Sequence, residues 1–439
     1  MHQSTKQFKN KNILIYGLGI SGKACFKYLN NNNNITVYDD KLSNIPKKYI
    51  RYSINKSNII KKIFNYIVLS PGIDINKCSL KKFLKKNKNK IISELDIFYL
   101  DNLKNKKITI TGTNGKSTTC KLLYDVLVKN NFDVRLVGNI GNPILLEKNI
   151  KPKTIFVIEA SSYQIEYSKY FKADLAIILN ISPNHLERHK TLKNYIRSKF
   201  KLIKNQKKNS LAFIEKDNKY LDKELIKNKV NSKVIKVSFQ NLNNLKKKIN
   251  NPYFENMDNK KNLMFVLNLS KKLKLNNTKV IQAINLFKGL NFRQQIIYKN
   301  KKLLIINNSK STTFSSSINL LQMYKNIYWL VGGKFKKGDK FKLNKNYYKN
   351  IHAYIVGKNA NFFADKFKNK IKYSIFQNIK NALDKIIFDT KINNINPKNI
   401  IFSPSAASFD KFKNFEERGK YFNYLIKKTK LINKINAGK

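Results

Sequence analysis

The chain has 439 residues, 42% of them hydrophobic, with 88 Lys and Arg against 26 Asp and Glu and a formal net charge of +62. That length suits two or three domains with cores of their own, and the apolar content excludes a disordered polycation. The charge invites a nucleic-acid reading, but the lysines run along the whole length, mixed with Asn, Ile, Tyr and Phe. All five residue types have A/T-rich codons, so a biased genome accounts for them without a specific nucleic-acid partner. Solvated faces are their expected home, with only weak, salt-sensitive adhesion to polyanions. Cys25, Cys78 and Cys120 lack metal-ligand spacing and fit a reducing compartment. The first twelve residues are polar and hold no signal-peptide core, and no apolar run approaches the ~18 residues of a membrane span. A cytoplasmic monomer without a membrane partner is expected.

In chain order, Asn12 to Tyr16 reads as a strand running into the turn Gly17-Leu-Gly19-Ile-Ser-Gly22 and a helix through Leu29. Ile35 to Tyr38 is the next strand and ends at Asp39-Asp40. A glycine fingerprint with an acid after the second strand suggests dinucleotide binding, but the same turn serves any phosphate at a helix N-terminus. A further strand, Tyr66 to Leu69, runs into Ser70-Pro71-Gly72.

A second α/β unit opens with Lys107-Ile-Thr-Ile110 and Thr111-Gly-Thr-Asn-Gly-Lys-Ser-Thr118, followed by a helical pattern from Thr119 to Val128. Strand, glycine turn and helix together predict a phosphate-binding loop. Backbone N–H groups would wrap a polyphosphate, Lys116 would neutralise its terminal phosphates, and the Ser117 hydroxyl would hold Mg²⁺. Ile110 stands where the general pattern has its first glycine. Later strands are Thr154 to Ile158, ending at Glu159, and Leu175 to Leu179, ending at Asn180. Acids and amides at the carboxyl ends of parallel strands lie where ligands bind. Helices are expected over Leu192 to Ile203 and Asn262 to Leu275, and a loop over Asn241 to Asn251. A third unit starts near Leu290, with strands Leu303 to Ile306, Ile327 to Val331, Ala353 to Val356 and Asn399 to Phe402. The expected fold is α/β in three domains. They are a Rossmann-like domain over 1–95, a P-loop-type ATPase domain with a mainly parallel sheet over 96–289, and a Rossmann-like domain over 290–439.

Thr111 to Thr118, Glu159-Ala-Ser-Ser-Tyr-Gln164, Asn180-Ile-Ser-Pro-Asn-His185 and Tyr195-Ile-Arg-Ser-Lys199 follow one another in an order that resembles the Mur ligase superfamily. The resemblance covers essentially the whole chain, and Ile110 matches the family's own spelling of the loop. Three segments resemble its D-glutamate-adding branch: Tyr16 to Gly22, Gly138 to Pro143, and Ser403 to Gly419.

The resemblance implies a ligase in which ATP phosphorylates the terminal carboxylate of UDP-N-acetylmuramoyl-L-alanine and the amine of D-glutamate then displaces phosphate. It implies ATP at Gly112, Thr113, Asn114, Gly115, Lys116, Ser117 and Thr118, with Asn262, Arg293 and Asn308 toward the adenosine. It implies Mg²⁺ near Ser117, Glu159, His185 and a carbamylated Lys199, with Lys116, Glu159, His185 and Lys199 as catalytic residues. Ser21, Asp39 and Gly72 match positions that receive the UDP part, so the glycine fingerprint needs no nicotinamide. Asn139 and Ser161 match positions nearer the sugar and peptide. Thr312, Lys336, Ser408 and Phe415 match the D-glutamate positions. The chain departs from the family at Asn308, usually Asp, and at Phe292 and Asp258, usually His. The expectation is an active enzyme with weaker ATP binding. The rival readings are another amino-acid ligase of the superfamily, a decayed relative, and a basic nucleotide- or nucleic-acid-binding protein. The last would need aromatic residues interleaved with a basic groove, which the sequence lacks.

Overall fold

Short β-branched runs build the sheets. The computed structural model describes residues 6–239, 249–255, 257–335, 339–393, 395–408, 411–429 and 432–433, in two compact units, Met1–Phe287 and Lys288–Lys439.

The first unit holds two sheets. Strands β1 (Asn12–Tyr16), β2 (Asn34–Tyr38), β3 (Tyr66–Leu69) and β4 (Ile91–Ile92) pair in parallel in the order β2-β1-β3-β4. Strands β5 (Lys106–Thr111), β6 (Val134–Gly138), β7 (Ile155–Glu159), β8 (Leu175–Ile178), β9 (Leu211–Glu215) and β10 (Lys233–Val237) make a parallel sheet in the order β10-β9-β8-β5-β7-β6. A parallel sheet covered on both faces needs continuous apolar strands. Accordingly β7 is buried at all five positions. Its Val157 packs with Ile108, Ile110 and the helix Lys116–Lys129 through Leu123, Val126 and Leu127. Its Phe156 and Ile158 face the other way, onto Tyr195, Phe200 and Ile203 of the helix Leu192–Lys204.

One carboxylate ties the segment between the two sheets to the second sheet. Asp96, in the helix Glu94–Asp101, accepts from Ser93 N, Lys169 N, Tyr170 N and Phe171 N at 2.7–2.9 Å. Each of these charge-assisted bonds is stronger than a neutral one, so the helix that leads into β5 is pinned to the loop that leads into β8.

The second unit has β11 (Gln295–Lys299), β12 (Leu303–Asn307), β13 (Ile327–Val331), β14 (Ile351–Val356), β15 (Lys372–Phe376) and β16 (Lys398–Phe402), in the order β11-β12-β16-β13-β14-β15. Only β11–β12 is antiparallel among these pairs. The mixed α/β class and mainly parallel sheets match the expectation.

Boundaries differ in places. The phosphate-loop helix starts at Lys116 rather than Thr119, and the helix expected from Asn262 starts at Met257 and ends at Lys272. Most of the expected loop Asn241 to Asn251 lies outside the described residues. The three cysteines are buried and form no disulfide. No helix among the described residues is long and apolar enough to cross a membrane.

A polar chain crosses the edge of the second unit. Tyr354 OH donates to Asp389 Oδ2 at 2.5 Å, so it accepts from His352 Nδ1 at 3.1 Å and leaves His352 Nε2 to accept from Ser374 Oγ at 3.0 Å. With the imidazole neutral, His352 fills both roles. Burial first, then Lys372, pull its pKa down to about 4, against an opposing push from Asp389. A histidine whose folded pKa lies below its unfolded value takes its proton in the unfolded chain first. Its contribution is therefore complete above the unfolded pKa of about 6.5 and is lost as pH falls toward 4. The melting temperature of the second unit is expected to drop across that window, and His352→Gln is expected to flatten the drop, as read by calorimetry.

Candidate active site around the phosphate loop

Gly115 precedes the helix Lys116–Lys129 with φ +81, a conformation that favours glycine. A Cβ there would sit 2.3 Å from Asn262 Oδ1, so Asn262, only 5% exposed, packs on the loop. Asn180, just past β8, braces the loop from its other side. Its Oδ1 accepts from Thr113 N at 3.1 Å and Asn114 N at 2.9 Å, and its Nδ2 donates to Asn114 O at 3.2 Å. Thr113 Oγ1 meets Tyr195 OH at 3.1 Å and accepts from Ser182 N at 3.0 Å. The loop is thus held in shape by side chains from three elements.

Two lysines converge on one carbonyl. Lys116 Nζ donates to Gly112 O and Thr113 O, both at 2.9 Å. Lys199 Nζ, from the helix Leu192–Lys204, also donates to Gly112 O at 2.9 Å, and to Thr111 Oγ1 at 3.3 Å. Lys199 is 1% exposed. Burial, and then the charge of Lys116, hold its amine well below the usual lysine value, while Glu159 pulls the other way.

Two buried side-chain oxygens are left without hydrogen-bond partners nearby. Glu159 ends β7; its Oε1 accepts from Asn139 Nδ2 at 2.9 Å, but its buried Oε2 has no hydrogen-bond partner. The Ser117 hydroxyl is buried and equally unpartnered. An orphaned buried polar atom costs about 1–3 kcal/mol. Two hard oxygens in that state suit a divalent cation whose other positions go to phosphate oxygens and water. No cluster of three His, Cys, Asp or Glu side chains able to hold a metal occurs among the described residues. His185, with φ +55, stands at the rim. Its ring lies 5.1 Å from Tyr163 and 6.5 Å from Tyr195, and its Nδ1 is 3.5 Å from Glu187 Oε1.

The first glycine turn is built similarly. Gly17 has φ +92 and accepts Ser70 Oγ at 2.6 Å through its carbonyl. Asp39 is 8% exposed and takes Leu18 N at 3.1 Å, Lys41 N at 3.2 Å and Asn44 Nδ2 at 2.8 Å. Gly72 faces open space. Ser21, in the helix Ile20–Leu29, favours the charged form of the Glu94 carboxylate. Ser161 caps the helix Ser162–Tyr167 two residues beyond Glu159.

The chain is matched by the model of the Mur ligase middle domain over residues 110–287. A curated relative from Rickettsia felis, named UDP-N-acetylmuramoylalanine--D-glutamate ligase, is 32% identical over 98% of both chains. The chain belongs to the Mur ligase family. A Francisella tularensis relative of the same name is 32% identical over 94% of this chain and 95% of its own. Among solved structures, the Mur ligase fold is shared with UDP-N-acetylmuramate-alanine ligase of Thermotoga maritima, with a TM-score of 0.55 and 15% identity over 96% of this chain and 100% of the other. It is shared also with the MurF ligase of the same organism in complex with ADP, with a TM-score of 0.54 and 14% identity over 98% of each.

In this Mur ligase the remaining expected positions fall in the second unit. Asn308 is 6% exposed; it donates to Ser403 Oγ at 2.9 Å and accepts from Gln294 N at 3.2 Å. Arg293 is half-buried beside Phe292. Thr312 is exposed and Ser408 buried. The Phe415 ring lies 3.6 Å from Lys310 Nζ, while its carbonyl accepts from Ser309 Oγ at 2.9 Å. Lys336 lies outside the described residues. Three contributors went unnoticed in the sequence: Tyr195 as a brace of Thr113, Gln164 as the partner of Ser161, and Glu94. The spacing Ser161-x-x-Gln164 is a capping-box signal that points to Gln164.

Gly115→Ala is expected to lower stability by about 1–3 kcal/mol through backbone strain and collision with Asn262. Urea unfolding of the two proteins checks this.

Proposed function

We propose that the chain joins D-glutamate to UDP-N-acetylmuramoyl-L-alanine with cleavage of ATP to ADP and phosphate, a step in peptidoglycan precursor synthesis. The observation that supports it most is the buried cradle around Gly112. A braced glycine loop, two lysines and two unpartnered oxygens meet at the ends of β5 and β7. The substrate assignment draws on curated relatives named for that reaction over nearly the whole chain.

In this reading the segments 1–95, 96–289 and 290–439 take the uridine nucleotide, ATP and the amino acid. The amides of Gly112 to Thr118 bind the β- and γ-phosphates, and Lys116 turns from the loop carbonyls toward them. A substrate carboxylate oxygen attacks the γ-phosphorus and ADP leaves. The amine of D-glutamate then attacks the acyl carbon and phosphate leaves, the ammonium proton passing to solvent or a nearby base. The protein's part is charge neutralisation and alignment of the reactants. Ser117 and Glu159 would hold Mg²⁺, which supplies charge neutralisation at the phosphates when bound. Thr312, Lys336, Ser408 and Phe415 would receive D-glutamate, and Asn262, Arg293 and Asn308 the adenosine end. Lys199 as a neutral amine is poised to add CO₂, and the carbamate so formed is an anion able to join Glu159 and His185 at a cation. The reaction's substrates, and the absence of a long apolar helix among the described residues, suit work in the cytoplasm. A monomer suffices.

Phosphate release is expected to require all three of UDP-N-acetylmuramoyl-L-alanine, ATP and D-glutamate, and turnover with another amino acid in place of D-glutamate would refute the assignment. Lys116→Ala is expected to reduce kcat by roughly a hundredfold or more. Activity is expected to fall in CO₂-depleted buffer and return on adding bicarbonate. A rate indifferent to bicarbonate in the wild type would remove the carbamate from the account.

A further inference from the structure

Glu94 is a buried acid that the reaction as described does not use. It opens the helix Glu94–Asp101 and is 5% exposed. Its Oε1 accepts from Gln164 Nε2 at 2.7 Å, and the Ser21 side chain favours the charged form of the same carboxylate. On its other side Gln164 Oε1 accepts from Ser161 N and Ser161 Oγ, each at 2.9 Å, and Gln164 N donates back to Ser161 Oγ at 3.2 Å. An amide has one donating and one accepting end. A carboxylate on one side and a backbone N–H on the other therefore admit a single orientation of Gln164.

Burial holds the Glu94 carboxyl above its usual range, and only Gln164 and Ser21 oppose it; neither lysine nor arginine acts on it among the described residues. A buried acid without a cation is costly, and an apolar side chain of similar size would fill the space at lower cost. What the acid supplies is a pair of acceptors aimed at two places. One is Ser21, in the first turn of the helix that follows the Gly17 turn. The other, through Gln164, is Ser161, two residues past Glu159. The helix carrying Glu94 is itself fixed by Asp96 to residues 169–171, so the acceptors are held on a rigid support.

We propose that Glu94 is a positioning residue that couples the glycine turn at Ser21 to the Glu159–Ser161 turn through Gln164. It touches no reacting atom. It sets the Gln164 amide and, with it, the Ser161 hydroxyl that faces the sugar and peptide part of the nucleotide substrate. The inference rests on the ligase reading and adds to it a link between the two ends of one substrate.

Glu94→Met keeps the volume and removes both acceptors. Expected are a fall in kcat of about tenfold and a similar rise in KM for UDP-N-acetylmuramoyl-L-alanine, with KM for ATP within about twofold of wild type. Direct calorimetric titration of that nucleotide without ATP is expected to show the same loss. Glu94→Gln, which keeps an acceptor for Gln164, is expected to recover most of it. Adding Gln164→Met to Glu94→Met is expected to cost less than Gln164→Met alone, since both cut one relay. Unchanged kinetics in folded Glu94→Met overturn the inference, and so do equal rises in both KM values or additive losses in the double variant. Should Glu94→Met fail to fold, Gln164→Met against Glu94→Gln reads the same relay. A wild-type protein that turns over no D-glutamate sinks the ligase reading and this inference with it, whereas an active wild type beside an unchanged Glu94→Met sinks this inference alone.

Discussion

The Gly112 carbonyl, which accepts from both Lys116 and Lys199 at 2.9 Å, sets the terms for the rest of the site. Two ammonium groups on one oxygen, deep at the end of a parallel sheet, repel each other strongly in so poorly screened a place. One resolution is for the more buried amine to shed its proton. Lys199 is that amine, because it is 1% exposed while Lys116 sits where the loop opens. The other resolution is an incoming polyanion that draws Lys116 off the carbonyl. Both resolutions relieve the repulsion at the same carbonyl.

That arrangement works only if the backbone cannot yield. Strands β5, β7 and β8 are buried on both faces, and their carboxyl ends present Thr111, Glu159 and Asn180 at one edge of the sheet. Asn180 spends its whole amide on the loop backbone, and Tyr195 reaches Thr113 from the helix that also carries Lys199. The same packing that hides Lys199 therefore shapes the phosphate loop. The unpartnered oxygens of Ser117 and Glu159 belong to the same frame. Their lost hydrogen bonds weigh against the free protein.

Much of this was legible in the chain because central parallel strands are continuous apolar runs. All ten strands expected from such runs are present, from Asn12–Tyr16 to Lys398–Phe402. The strands that escaped notice include the edge strands β10, β11 and β15, where Lys233, Lys236, Gln295, Lys299, Lys372 and Ser374 interrupt the pattern. Edge strands carry such residues to avoid pairing with other chains, so the feature that protects them also hides them. Glycine turns and the Lys116 loop were legible because their chemistry is local. The Gly112 carbonyl shared by two lysines was not, since Lys116 and Lys199 are 83 positions apart in the chain and their meeting is a product of packing. Glu94 escaped for the same reason: Gln164, its partner, is 70 residues away.

Asn308 shows how a departure from family spelling is absorbed. Its amide donates to Ser403 Oγ and accepts from Gln294 N. Ser403 in turn meets Ser317 Oγ at 2.6 Å, and Ser317 meets Ser405 and Ser311 at 2.6 and 2.7 Å. Such a cluster of buried hydroxyls is neutral and self-satisfied, with each group able to donate and accept. A carboxylate at 308 would add a buried charge and an acceptor with no proton to give. The neutral amide fits the cluster in both directions, so the exchange of Asp for Asn is matched by its surroundings inside the second unit.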